Sequence, residues 1–139
     1  LDTHLSDVWE KEYKNQMMMS VPMMLAHKAR LEKAFNSFQK DNRFSSSYKK
    51  SLDVMSEEVS EIGTIMLGIP VIFQKGALVF PSTKLGLLIN DLQVLCNQYN
   101  SDKGLTDKEQ DMVAEKEAKV IEMLTEVLPP FLEDSFWIR

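Results

Sequence analysis

Residues 45–68 read SSSYKKSLDVMSEEVSEIGTIMLG. Six apolar residues recur in this stretch at the spacing of one face of an α-helix, and charged residues fill the other faces. These six are Tyr48, Leu52, Met55, Val59, Ile62 and Met66. A serine ahead of the run supplies a candidate N-cap, and Gly68 followed by Pro70 ends the pattern. The stretch therefore predicts one amphipathic helix.

Two further helices are predicted before this one. Residues 2–19 have an apolar stripe at helical spacing, made of Leu5, Val8, Trp9, Tyr13 and Met17. Ser20 followed by Pro22 predicts a break and a restart, because Ser caps helices and Pro is tolerated in the first turn. The second helix then runs to about Lys40, with an inner stripe of Met24, Ala26 or His27, Leu31, Ala34, Phe35 and Phe38.

Two more helices are predicted after residue 80. The tripeptide Pro81-Ser82-Thr83 opens the first of them, whose stripe is Leu85, Leu88, Leu92, Leu95, Cys96 and Tyr99. Thr106 and Glu109 have the spacing of a capping box, in which each side chain satisfies the other residue's backbone amide. The last helix therefore starts there and ends at Pro129-Pro130, with Val113, Val120, Ile121, Leu124 and Val127 or Leu128 facing inward.

Residues 71–80 have a different pattern, with β-prone runs on both sides of Gly76. A short β-hairpin and an irregular apolar connection are both open here, because short apolar runs have no decisive period. We therefore predict an all-α (mainly α) fold, with this hairpin as the one candidate for β structure. The chain is expected to form a single-domain bundle of about five helices over residues 1–139, with an aromatic tail at 131–139.

The composition fits one globular core. The 139 residues are 44% apolar and 27% charged, the net charge is -5, and one cysteine excludes an intramolecular disulfide. The most apolar stretch, 62–80, is interrupted by Pro70 and Lys75, so we expect no transmembrane segment. A chain that begins at Leu1 is expected to be a fragment, a trimmed product or a processed protein. We favour the cytoplasm, although a removed signal peptide would leave no trace.

The sequence contains no recognisable catalytic pattern. It has two histidines, no H-x-x-x-H or E-x-x-H pair and no phosphate-binding glycine loop. We therefore expect no catalytic residues, no cofactor and no metal centre. Cys96 is predicted to be an inert core thiol, and Glu57, Glu58 and Glu61 are predicted to form a solvated acidic face.

His27 supports two alternative interpretations. The segment Ala26-His27-Lys28-Ala29-Arg30-Leu31 resembles the helix of histidine phosphotransfer bundles, in which a cation follows the phosphorylated imidazole. It departs from that pattern at Leu31, where such domains usually have glycine. Met23, four residues before His27 and close to Met17–Met19, instead favours a site for a soft metal such as Cu(I).

Charge is distributed unevenly along the chain. Residues 21–50 carry two acidic and seven basic side chains, the latter being Lys28, Arg30, Lys33, Lys40, Arg43, Lys49 and Lys50. Residues 106–139 carry nine acidic and four basic side chains. The basic patch favours a nucleic-acid-binding regulator as one alternative function. The competing interpretation is that the basic and acidic faces neutralise each other within the bundle or across a dimer.

The main functional prediction is protein binding. Five of the nine methionines lie between residues 17 and 24, and the tail is aromatic, so one small core is not expected to absorb all of these side chains. We predict a non-enzymatic interaction, regulatory or structural protein, whose partner could be a second copy of the chain. The candidate partner-binding residues are Met17, Met18, Met19, Met23, Met24, Phe131, Phe136 and Trp137.

Overall fold

The computed structural model describes residues 3–69 and 80–133, and among the first ten residues it describes only the side chain of Val8. These residues form four α-helices and one short 3-10 turn. The elements are α1 (Thr3–Lys40), α2 (Ser46–Leu67), α3 (Ser82–Tyr99), α4 (Asp107–Val127) and the 3-10 turn Pro129–Leu132. The mainly helical class is confirmed, and the described residues contain no strand. Nearly all of the predicted hairpin, residues 71–79, lies outside the described residues.

The predicted break near residue 20 is wrong. Pro22 lies inside one continuous helix of 38 residues, so the described residues form four helices where five were predicted. Proline has no N–H to donate to the carbonyl of Met18, but Pro22 is exposed, and water can hydrogen-bond that carbonyl. Met17, Val21 and Met24 are fully buried on the opposite face, and their packing keeps the helix continuous across the proline.

Helix starts follow local side-chain chemistry. The hydroxyl Oγ of Ser45 accepts a hydrogen bond of 3.1 Å from the backbone N–H of Tyr48, which caps α2. The predicted capping box of α4 is present, since the backbone amides of Glu109 and Thr106 each donate to the other's side chain at 3.1 Å. Both predicted helix starts are therefore confirmed.

Successive helices are antiparallel. Phe38 stacks on Tyr48 near the α1–α2 loop, whereas His27, further back on α1, contacts Glu58, further along α2. The α3–α4 pair behaves in the same way, because Gln98 contacts Glu109 while Lys116 contacts Asp91. Helix α4 also packs on α1, which closes the four helices into a ring.

The apolar stripes of the four helices meet in one buried cluster. All six stripe residues predicted for α2 are buried, which confirms that helix in full. The stripe predicted for residues 2–19 is wrong at Val8, which is 50% exposed. In the stripe predicted to run to Lys40, Ala26 is exposed and the alternative residue, His27, is partly buried. Within residues 3–69 and 80–133, no helix combines the length and apolarity needed to cross a bilayer.

Candidate functional site

The outward face of α1 is the first candidate. Residues at intervals of three, four or seven share one side of a helix. We use the name α1 outer face for six of the exposed side chains that follow this spacing: Glu12, Asn15, Met19, Met23, Ala26 and Arg30. Its centre is apolar, with an acidic residue towards one end and a basic residue at the other.

The methionines of α1 divide into two sets. Met17 and Met24 are fully buried in the bundle. Met18, Met19 and Met23 expose 42%, 68% and 54% of their surface. One core therefore does not absorb the cluster, and the exposed thioethers of Met19 and Met23 belong to the α1 outer face.

The aromatic end of the chain is described only as far as residue 133. Phe131 is fully buried inside the chain, so its side chain is not available to a partner. Phe136 and Trp137, the other two aromatic residues predicted to bind a partner, lie outside the described residues. The first part of the tail thus folds back onto the bundle.

A second candidate is a polar cluster between α1 and α2. Nδ1 of His27 lies 2.6 Å from Oε2 of Glu58, and Nε of Arg30 donates to Oε1 of the same carboxylate at 3.0 Å. The prediction of a solvated acidic face is wrong for Glu58, which is 7% exposed. Pairing with two basic groups offsets the cost of burying this carboxylate.

The short His27–Glu58 contact orients the imidazole. A carboxylate accepts but does not donate, so a hydrogen bond at this separation of 2.6 Å needs a proton on Nδ1 of His27. Nη2 of Arg30, 2.9 Å from the same Nδ1, is then a close approach and not a second hydrogen bond. Nε2 of His27 makes no hydrogen bond to any residue in the described part of the chain.

A third candidate is a carboxylate in the core. Glu117 on α4 is completely buried, and neither of its oxygens has a hydrogen-bond partner among the described residues. Burial raises the pKa of Glu117 to about 8, because the charged form loses its hydration. Burial also raises the pKa of the nearby Cys96 thiol to about 11, and the charge of Glu117 adds to this effect. Cys96 is therefore a buried thiol of low reactivity, as its helical neighbours predict.

The predicted basic patch is partly engaged in ion pairs. Lys28 lies 2.6 Å from Glu32, and Arg43 reaches Asp107 and Asp111 of α4 at 3.2 and 2.7 Å. Arg30 is held by Glu58, as described above. The other four basic side chains are exposed and form no ion pair with a described residue: Lys33, Lys40, Lys49 and Lys50. Nucleic-acid binding stays a prediction that rests on these four.

A shallow groove of about 320 Å³ lies between α2 and α3. Small, polar and apolar residues line it, including Gly86, Asn90 and Ile89. Gly86 faces open space, since a Cβ atom built there would meet no atom within 4 Å. The groove is lined by no charged side chain, so it contains no evident catalytic group.

No family model, curated protein or solved structure matches this chain. The part of the chain that the structure describes contains no group of three or more His, Cys, Asp and Glu residues placed to hold a metal ion.

Sequence reasoning placed Met19, Met23 and His27 among the candidates but missed Glu117. A signal for Glu117 was present, because this residue lies four after Val113 and three before Val120 on the inner stripe of its helix. The pairing of Glu58 with His27 had no comparable signal, since the two residues are 31 positions apart and meet only in the folded chain.

Proposed function

We propose that the protein is a non-enzymatic interaction protein that binds a second copy of itself through the α1 outer face. The observation that carries this proposal is the arrangement of exposed residues on α1. Met19 and Met23 form an apolar centre, and Glu12 and Arg30 lie seven residues beyond this centre on either side.

This arrangement suits an antiparallel helix pair. A two-fold axis between Met19 and Met23 would set Met19 of one copy against Met23 of the other. The same axis would set Glu12 of each copy against Arg30 of the other, because both lie equally far from the axis. A two-fold interface needs a self-complementary surface, and opposite charges at the two ends of an apolar stripe provide one.

The side chains at the centre also favour association. A helix of 38 residues is about 57 Å long, so α1 can present this face to a partner helix over several turns. Met has a flexible, polarisable side chain that adapts to a facing surface, and exposed apolar patches commonly mark interaction sites. Burying both thioethers in each copy would remove apolar area from water and stabilise the pair.

Sedimentation equilibrium over a wide concentration range tests the proposal. We expect the unmodified chain to dimerise, and Met19→Lys or Met23→Lys to leave it monomeric, because a lysine would be desolvated at the interface. Met112→Lys is the matched control, since Met112 is 38% exposed on α4 and lies outside the α1 outer face. Its dimerisation should match that of the unmodified chain.

Charge reversal tests the antiparallel register. Glu12→Arg should weaken the dimer, since it sets like charges against each other at both ends of the stripe, and high salt should reduce this difference. A chain that is monomeric at all concentrations contradicts the proposal. A dimer that survives both lysine substitutions contradicts the assignment of the α1 outer face as its interface.

A further inference from the structure

Three side chains with soft donor atoms follow one another along α1. Met19, Met23 and His27 are separated by four residues each, so their Cβ atoms are about 5–6 Å apart from one to the next. Met19 and Met23 are more than half exposed, and His27 is partly exposed at the edge of the α1–α2 contact. Two thioethers and one imidazole are therefore available along one side of the same helix.

The ring of His27 is already arranged as a metal-binding imidazole. Its Nδ1 faces Oε2 of Glu58 at 2.6 Å, so in the neutral imidazole that donates to this carboxylate the lone pair is on Nε2. Metal-ligating histidines usually donate their other ring nitrogen to a carboxylate in this way, which orients the ring and increases its basicity. Nε2 has no hydrogen-bond partner among the described residues.

We propose that Nε2 of His27 and the sulfur of Met23, with Met19 adjacent, bind a soft monovalent cation, either Cu(I) or its redox-inert analogue Ag(I). Thioether sulfur selects soft cations over Zn²⁺, Mg²⁺ and Ca²⁺, and imidazole suits copper as well. A structural zinc site would need four ligands, and these three side chains do not supply them. The chemistry of the donors thus decides the class of cation.

The local charges are compatible with a bound cation. Arg30, one turn beyond His27, has its guanidinium held by Oε1 of Glu58 at 3.0 Å. Lys28 is paired with Glu32 at 2.6 Å. The carboxylate of Glu58 is in direct contact with the imidazole, and its negative charge reduces the repulsion between Arg30 and a cation bound at His27.

The test is a titration of the full chain with Ag(I) in chloride-free buffer, followed by NMR of methionine methyl groups labelled with ¹³C. We expect the methyl signals of Met23 and Met19 to shift until one equivalent is bound, while the signal of Met112 stays in place. Cys96 is the competing soft ligand, so the titration is repeated with Cys96→Ala. The same shifts are expected, because this thiol is buried.

Affinity for Cu(I), measured anaerobically by competition with a chromogenic chelator, gives the second readout. Met23→Leu should weaken binding by about tenfold or more, and Met112→Leu should not change it. His27→Gln should weaken binding as well. Because Met23 is exposed, Met23→Leu tests the site without disturbing the core. Unchanged Cu(I) affinity in Met23→Leu, equal shifts of Met112, or loss of binding in Cys96→Ala alone would each overturn the proposal.

This inference does not depend on self-association. Met23→Leu keeps an apolar side chain on the α1 outer face while it removes the sulfur, so it should weaken metal binding and preserve the dimer. Met23→Lys should weaken metal binding and also abolish the dimer. The two proposals can therefore fail separately.

Discussion

The ring of Phe131 lies 6.2 Å from the ring of Phe80, with an angle of 56° between their planes. Both side chains are buried, and the buried Tyr13 of α1 forms a hydrogen bond with the backbone of Phe80. The 3-10 turn after α4 thus contacts Phe80, which lies two residues before α3 and against α1. A tilted aromatic pair of this kind is favourable beyond the area that it buries.

Phe131→Ala should lower the free energy of unfolding by about 3–5 kcal/mol, because it leaves a cavity in the core. Urea unfolding followed by circular dichroism measures the change. Leu132→Ala is the matched control, since Leu132 is 39% exposed on the same turn, and it should cost less than about 1 kcal/mol. Equal costs for the two variants would contradict the assignment of Phe131 as the residue that holds the turn.

Pro22→Ala should stabilise the protein. The alanine restores an N–H for the carbonyl of Met18 and removes the clash of the proline ring, while the unfolded chain gains some entropy. The expected net gain is about 1–2 kcal/mol, measured by thermal and urea unfolding. Ala26→Gly, on the same exposed side of α1 as Pro22, is the reference substitution and should lower the free energy of unfolding by about 1 kcal/mol, because glycine has a lower helix propensity than alanine. Destabilisation by Pro22→Ala would show that the packing of α1 requires the proline.

The local sequence was sufficient to predict where two helices begin. Ser45 and the Thr106–Glu109 pair act on backbone amides within three residues, so their roles can be recognised from spacing alone. The buried stripe of α2 was predictable for a similar reason, since its period is a property of one helix.

Two features that the sequence did not predict depend on contacts between helices. The restart predicted before Pro22 followed a valid local preference, but burial of Met17 and Met24 on either side outweighs it. Glu58 was expected in solvent because it is charged and its partner, His27, lies on another helix, where the local sequence gives no sign of the contact. Met19, Met23 and His27 could thus be named as candidates from the sequence, whereas the carboxylate that contacts the imidazole could not.

The His27–Glu58 pair should show measurable coupling. In a double-mutant cycle with His27→Gln and Glu58→Gln, we expect an interaction free energy above about 1 kcal/mol, because the contact is short and shielded. Urea unfolding at neutral pH gives the four free energies. The exposed pair Lys119–Glu122, with 3.6 Å between its charged atoms, is the control and should couple by less than about 0.5 kcal/mol. Similar interaction free energies in the two cycles would contradict the prediction that the shielded His27–Glu58 pair couples more strongly than an exposed pair.

Glu117 should make stability depend on pH in a definite direction. Its pKa is about 8 in the folded chain and close to the ordinary 4.5 in the unfolded chain, so the folded state holds an extra proton between these values. Stability from this group is complete below about pH 4.5 and is lost as the pH rises towards 8. Above pH 8 the buried carboxylate is charged and has no hydrogen-bond partner among the described residues.

Glu117→Met replaces the carboxyl with an apolar group of similar size and should remove this dependence. The gain in unfolding free energy over the unmodified chain should grow between pH 5 and pH 8, by up to about 4 kcal/mol. Urea unfolding of both proteins across this range measures the difference, in which the contributions of the groups that both proteins share cancel. Glu115→Gln, at an exposed position two residues earlier, should give a difference that stays flat with pH. A flat difference for Glu117→Met as well would mean that the carboxyl reaches water in solution.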